Sequence, residues 1–405
     1  MEQGETPPEQ EEVAGREEAY PLMNEGESLD DYFLRVGEQV PAVKIELYSA
    51  AHMNYEDASG IREMMPNADI FIPEGMSWTQ ANIDRKNAIS LGEHDETLVR
   101  ARAAGIESAD FMRASEDVLS GTGIPVVSVD VPHRELSEQE KRIKFKPDRD
   151  DRLPYEESLQ IFIAGRERFA AEQLEREKYM REHLGPKILE ALSIKPELRQ
   201  KGEITVLMPL GAAHTDIYHK LKNSGTNIKR TFQTSPYIYP YETEYQHRLA
   251  FDSDTDAEFI ERSFIESIIF KGLPGVSKKH ETPEGQLFKR TLVGLLDANE
   301  RREYYAMYQE LRRNYLLELD EKRKQFKSEF GEHWQQPHRE QAAENVDKEL
   351  EHGIEYALRE VFQKKGIELP KSEDEEIEFL RTHAPMEIAY INQVKQRQEE
   401  IKETE

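Results

Sequence analysis

An α/β fold, with a mostly parallel or mixed sheet flanked by helices and followed by a long-helix annex, is predicted by three features of this sequence. Short β-branched, apolar runs alternate with helical stretches between about residues 43 and 232, the pattern of a sheet covered on both faces. Two of those runs end in small residues and a histidine, then open into a helix. They are Val43 to Tyr48 with Ser49-Ala50-Ala51-His52, and Ile204 to Leu210 with Gly211-Ala212-Ala213-His214. Beyond residue 255 the chain turns to charged segments with apolar residues three and four apart, as long amphipathic helices require.

Taken in order, residues 1–38 are rich in Glu, Pro and Gly, so they are expected to form a disordered acidic arm that buries too little surface to offset its ordering entropy. The α/β domain is expected over 39–254. Its first strand, Val43 to Tyr48, leads into a helix from Tyr55 to Met65. A second strand, Asp69 to Ile72, ends in Pro73-Glu74-Gly75. A polar helical region over 79–119 precedes a third strand, Ile124 to Val129, which ends in Asp130. A long helix starts at Tyr155 and is expected to break near Gly185-Pro186, because proline lacks the N–H that an interior turn uses. The strand Ile204 to Leu210, its helix, and a further strand from Asn227 to Phe232 complete the domain. Residues 255–405 are expected to be a charged helical region, with Tyr304, Tyr308, Leu311, Tyr315 and Leu319 as a core-facing stripe.

Charge narrows the function. The chain has 405 residues with 81 acidic and 54 basic side chains, a net charge of −27, which argues against nucleic acid and anionic membranes as partners. The basic run Lys141 to Lys146 is followed by Asp148, Asp150 and Asp151 and reads as a solvated loop. With no cysteine, disulfides, thiolate metal sites and a cysteine nucleophile are all excluded. No apolar run approaches the roughly 20 residues of a membrane span, and the N-terminus has no basic or apolar leader pattern, so a soluble cytoplasmic protein is expected. Neither phosphate-cradle pattern nor Gly-x-Ser-x-Gly occurs, which removes nucleotide binding by those motifs and a nucleophile elbow.

Parallel strands share a direction, so their C-terminal tips line one rim, where ligands bind in open α/β sheets. His52, Glu74, Asp130 and His214 all fall at expected tips. Two imidazoles and a carboxylate converging there have the composition of a catalytic metal site with an open position for water, holding a divalent ion such as Zn, Mn or Co through His52, His214 and Glu74. Without metal, the same groups could serve as general base and acid. Asp130 and His133 lie beside a strand end and could supplement the site, although loop hydrogen bonding is the preferred reading. His94-Asp95 reads as a surface loop, and His333 and His338 as part of a connection between helices.

The paired small-x-x-His turns, the glutamate after the second strand, and Glu175-Arg176-Glu177-Lys178-Tyr179-Met180 before the second turn resemble the TraB/PrgY/TIKI family, of the erythromycin-esterase/ChaN-like superfamily. The resemblance spans about residues 41 to 235. It implies an α/β fold of two related halves and a metal-dependent hydrolase site acting on a peptide or small-molecule substrate. The family histidines fall on His52 and His214, its glutamate on Glu74, and its arginine on Arg176, which would bind an anionic group or stabilise an oxyanion. Ser49 stands where the family pattern has glycine. Two other readings stay open: a non-catalytic binding or scaffold protein whose C-terminal helices contact a partner or a second copy, and a binder of heme or another apolar ligand.

Overall fold

The computed structural model describes residues 20–50, 59–75, 78–93, 115–132, 152–211, 214–232, 238, 240–251, 253–269, 282–330 and 353–402. Strands β1 (Ala42–Ala50), β2 (Ile70–Phe71), β3 (Glu203–Gly211) and β4 (Ile228–Phe232) form an all-parallel sheet in the order β2-β3-β1-β4. The stretch expected as the third strand meets β2 only through the parallel bridge Phe71↔Val126, with Phe71 N–H donating to the Pro125 carbonyl and Val127 N–H to the Phe71 carbonyl.

Side chains alternate across each strand, so both faces of the sheet are covered, as a parallel sheet requires. Val43, Ile45 and Leu47 of β1 join Ile204, Val206, Met208 and Leu210 of β3 in one core, whereas Tyr48, Phe71 and Leu207 face a smaller one with Ile61, Met65 and Leu119. The first face is closed by α1 (Leu29–Val36), the C-terminal half of α4 (Tyr155–Ile194) and α5 (Asp216–Asn223); the second by α2 (Ser59–Met64) and the turns around it. Helix α3 is Gln80–Ser90.

Two expectations are corrected by how α4 meets the N-terminal segment. Residues 20–37, assigned to the disordered arm, are ordered: Ser28 caps α1 by accepting from Asp31 N–H, Gly37 closes it at φ 75°, and Leu29, Tyr32 and Phe33 are buried in the sheet core. An eight-residue amphipathic helix is lost when composition is averaged over the acidic arm around it. Residues 1–19 lie outside the described residues.

The second correction is that α4 runs 40 residues without a break, with Pro186 inside it. Proline 186 cannot donate to the Glu182 carbonyl, and Met23 N–H donates there instead, at 2.9 Å. Gly185 gives room for the Tyr32 ring, since a Cβ there would stand 2.4 Å from ring carbons. Gly185-Pro186 is therefore the docking point of the N-terminal segment. Gly185→Ala is expected to cost about 1–3 kcal/mol through overpacking, measured by urea unfolding; a smaller loss would mean that Tyr32 repacks freely.

The annex has its own core, built from α6 (Tyr241–Ala250), α7 (Ala257–Ile269), α8 (Pro283–Leu295), the first turns of α9 (Ala298–Phe330), a helix over 353–364, α10 (Glu373–His383) and α11 (Pro385–Lys402). Tyr304 and Tyr308 are buried in it and Leu311 packs against it, as the stripe predicts, while Tyr315 is only half-buried. The boundary at residue 255 is not where the cores divide, because Tyr155 and Phe162 of α4 and Tyr241 and Tyr245 of α6 belong to the helical core. Helix α4 thus begins in the annex and ends under the sheet.

Candidate functional site at the strand tips

Between those two halves, α4 turns Gln173, Arg176 and Glu177 toward the C-terminal rim of the sheet. Positions three and four apart share one helical face, and this face meets the turns after β2 and β3. Helix α4 is anchored on the sheet side by Met180, Leu184 and Ile188, all buried one or more turns further on.

Glu74 follows β2. Its N–H donates to the Pro209 carbonyl at 3.2 Å, and its Oε2 accepts Gly211 N–H at 2.7 Å, so the carboxylate is clipped across the tip of β3. Gly75 lies under the Trp78 ring, with room for no Cβ: one would stand 2.6 Å from a ring carbon. Gly211 is different. A Cβ there would meet nothing closer than Glu74 Oε2 at 3.4 Å, an ordinary contact, so what it contributes is its N–H.

Arg176 reaches the same carboxylate, with Nη2 2.8 Å from Glu74 Oε1. It also forks onto Asp130, with Nε to Oδ1 at 2.8 Å and Nη2 to Oδ2 at 2.5 Å. Burial disfavours the guanidinium charge, but the two carboxylates more than offset this and hold its pKa above the ordinary value. Asp130, read from sequence as a loop residue, is therefore part of the cluster. Two of the guanidinium nitrogens are committed to carboxylates, which leaves Nη1 as the edge that could meet an anion.

His214, after β3, is held by the N–H it donates to the Gly211 carbonyl at 3.0 Å. Its ring lies between two acidic groups, with Nε2 3.3 Å from Glu74 Oε1 and Nδ1 3.6 Å from Glu177 Oε1. Burial pulls the ring toward the neutral form, yet the Glu74 and Glu177 charges prevail and push its pKa up to about 9. Nε2–H donates to Glu74 in either form. The Gln173 amide nitrogen is 2.6 Å from Nδ1, where it donates to the neutral ring. Glu177 is itself fixed: Oε2 accepts Ile217 N–H from the first turn of α5 at 2.7 Å, and Oε1 accepts from Gln173 at 3.1 Å.

Three of the four residues singled out in the sequence, Glu74, Arg176 and His214, are thus brought together. His52 lies outside the described residues, as do Ala212, Ala213, His94, Asp95, His133, His333 and His338. Ser49 continues β1 as a buried strand residue and accepts from Arg230 Nε at 2.9 Å. Gln173 and Glu177 were not foreseen as site residues. Glu177 lies in the stretch that carries the resemblance, and both share a helical face with Arg176 just before the apolar positions that dock on the sheet.

The described residues do not by themselves fit a metal. Glu74 Oε2 is taken by Gly211 N–H, Oε1 is shared by the Arg176 guanidinium and His214, and no group of three His, Asp or Glu among the described residues is arranged to hold an ion. A guanidinium at 2.8 Å from the oxygen that faces His214 would also repel a dication. What the arrangement offers instead is a carboxylate, Glu74, held among the described residues by Arg176, His214 and Gly211 N–H and partly open to solvent, with its side chain 24 % exposed against 3 % for His214.

No protein-family model matches the chain, and neither the curated proteins nor the solved structures yield a match.

Proposed function

We propose that this rim is a hydrolase-type acid–base site for a peptide or ester-like bond, on a TraB/TIKI-like α/β domain. The observation that carries the reading is the meeting of three residues from separate parts of the chain: Glu74 Oε1 lies 2.8 Å from Arg176 and 3.3 Å from His214. In this reading Glu74, the most open of the three, takes a proton from the attacking water and returns it to the leaving group. Arg176 Nη1 faces the oxyanion that forms on the attacked carbonyl. His214, donating from Nε2, and Gly211 N–H keep the Glu74 carboxylate in place. No step here uses a metal.

The test is turnover of fluorogenic peptides and nitrophenyl esters by the full chain, with and without chelator. Glu74→Gln is expected to lower turnover by at least about 100-fold, the range for loss of a general acid–base group. A wild-type protein that hydrolyses nothing in the panel, or a variant as active as wild type, would contradict the reading.

A binding or scaffold role has its own supporting observations. His214 is nearly closed to solvent, and Met386 and Tyr390, one turn apart on α11, are 80 % and 54 % exposed, an apolar strip suited to a partner or a second copy.

A further inference from the structure

We infer that Asp130 is the positioning residue of this site: one buried carboxylate fixes both the Arg176 guanidinium and the turn that carries Glu74. The inference rests on reading the rim cluster as the functional site, and adds a residue that the acid–base reading does not use.

The Asp130 side chain is fully buried, and each of its oxygens receives two donors. Oδ1 accepts from Arg176 Nε at 2.8 Å and from Val131 N–H at 2.9 Å. Oδ2 accepts from Arg176 Nη2 at 2.5 Å and from Gly75 N–H at 3.1 Å. Four donors converge on one group, so only a carboxylate serves. An asparagine would have to turn its own NH2 against the guanidinium and a backbone N–H, leaving buried donors facing each other.

The consequence is geometric. A guanidinium gripped at Nε and Nη2 by a carboxylate cannot rotate about its long side chain. Its Nη2 is then kept on Glu74 and its Nη1 turned away from Asp130. The Gly75 contact fixes the peptide that immediately follows Glu74, so both members of the Glu74–Arg176 pair take their positions from the same two oxygens. Asp130 itself is placed by the stretch that bridges to β2 at Phe71↔Val126. Its side chain touches no solvent, and so acts through Arg176 and Glu74.

The experiment is hydrogen exchange at the Arg176 Nε–H, followed by ¹⁵N-resolved NMR in the full chain, with Arg176→Lys identifying the resonance. The wild-type proton is expected to exchange at least about tenfold more slowly than in the unfolded chain. Asp130→Glu, which keeps the charge one methylene further out, should exchange faster than wild type, and Asp130→Asn faster still. Unprotected exchange in the wild type overturns the inference, as does either variant exchanging as slowly as wild type. If Asp130→Asn does not fold, the comparison of wild type with Asp130→Glu decides. Protection that follows this order without any hydrolysis would sink the acid–base reading and leave the positioning role standing; hydrolysis with an unprotected Arg176 would do the reverse.

Discussion

Replacing Arg176 by methionine is expected to lower the unfolding free energy by about 3–5 kcal/mol, the usual cost of breaking a buried ion pair from one side. The size follows from what is left behind. Asp130 is fully buried and would keep two backbone donors but lose the guanidinium, and Glu74 would lose the cation beside Oε1. Methionine fills much of the same volume, so the loss reports charge and hydrogen bonding, with little cavity term. Urea unfolding measures it. A loss under about 1 kcal/mol, the scale of an exposed pair, would mean that the cluster is open to water in solution.

The second large effect is on the pH dependence of stability. The His214 pKa is raised from 6.5 to about 9 in the folded chain, so the folded state binds the extra proton more tightly than the unfolded state does. Its contribution is fully present below pH 6.5 and is lost as pH rises from there through about 9. At roughly 1.4 kcal/mol per pKa unit, the whole span is on the order of 3 kcal/mol. Other buried groups titrate nearby: burial raises Glu266 to about 8 and lowers Lys289 to about 7 in the annex core. The readout is therefore the difference between wild type and His214→Asn, in which those common slopes cancel. The expected result is a difference that is largest near pH 6 and shrinks toward pH 9. A difference that does not change with pH would show that folding leaves the proton affinity of the ring unchanged.

The strands were legible because a buried parallel strand has few ways to be written. Ile204-Thr205-Val206-Leu207-Met208 is apolar on both faces, and the structure uses both, with Val206 and Leu207 entering different cores. The convergence of Glu74 and His214 was legible for a related reason: strands that run the same way must deliver their ends to the same rim. Arg176 was found by resemblance, and no periodicity pointed to it. Gln173 and Glu177 were hidden because a charged helical face ordinarily meets solvent, and only the docking of the next turns of α4 on the sheet shows otherwise. Asp130 was seen at its tip but assigned to the loop, since nothing in Val129-Asp130-Val131 announces a distant arginine. The break expected at Pro186 failed because a carbonyl that loses its helical donor can be satisfied from outside, here by Met23. His52 lies outside the described residues, so the pairing of two imidazoles stays a proposal.

All of this depends on Glu74 and Arg176, 102 residues apart in the chain, being direct partners in solution. A double-mutant cycle with Glu74→Gln, Arg176→Met and the combined variant measures that contact in unfolding free energy. A coupling of about 1 kcal/mol or more is predicted, because residues sharing a buried charge network do not act independently. Additivity within about 0.5 kcal/mol would contradict the account, since it would leave the two side chains as strangers at the rim.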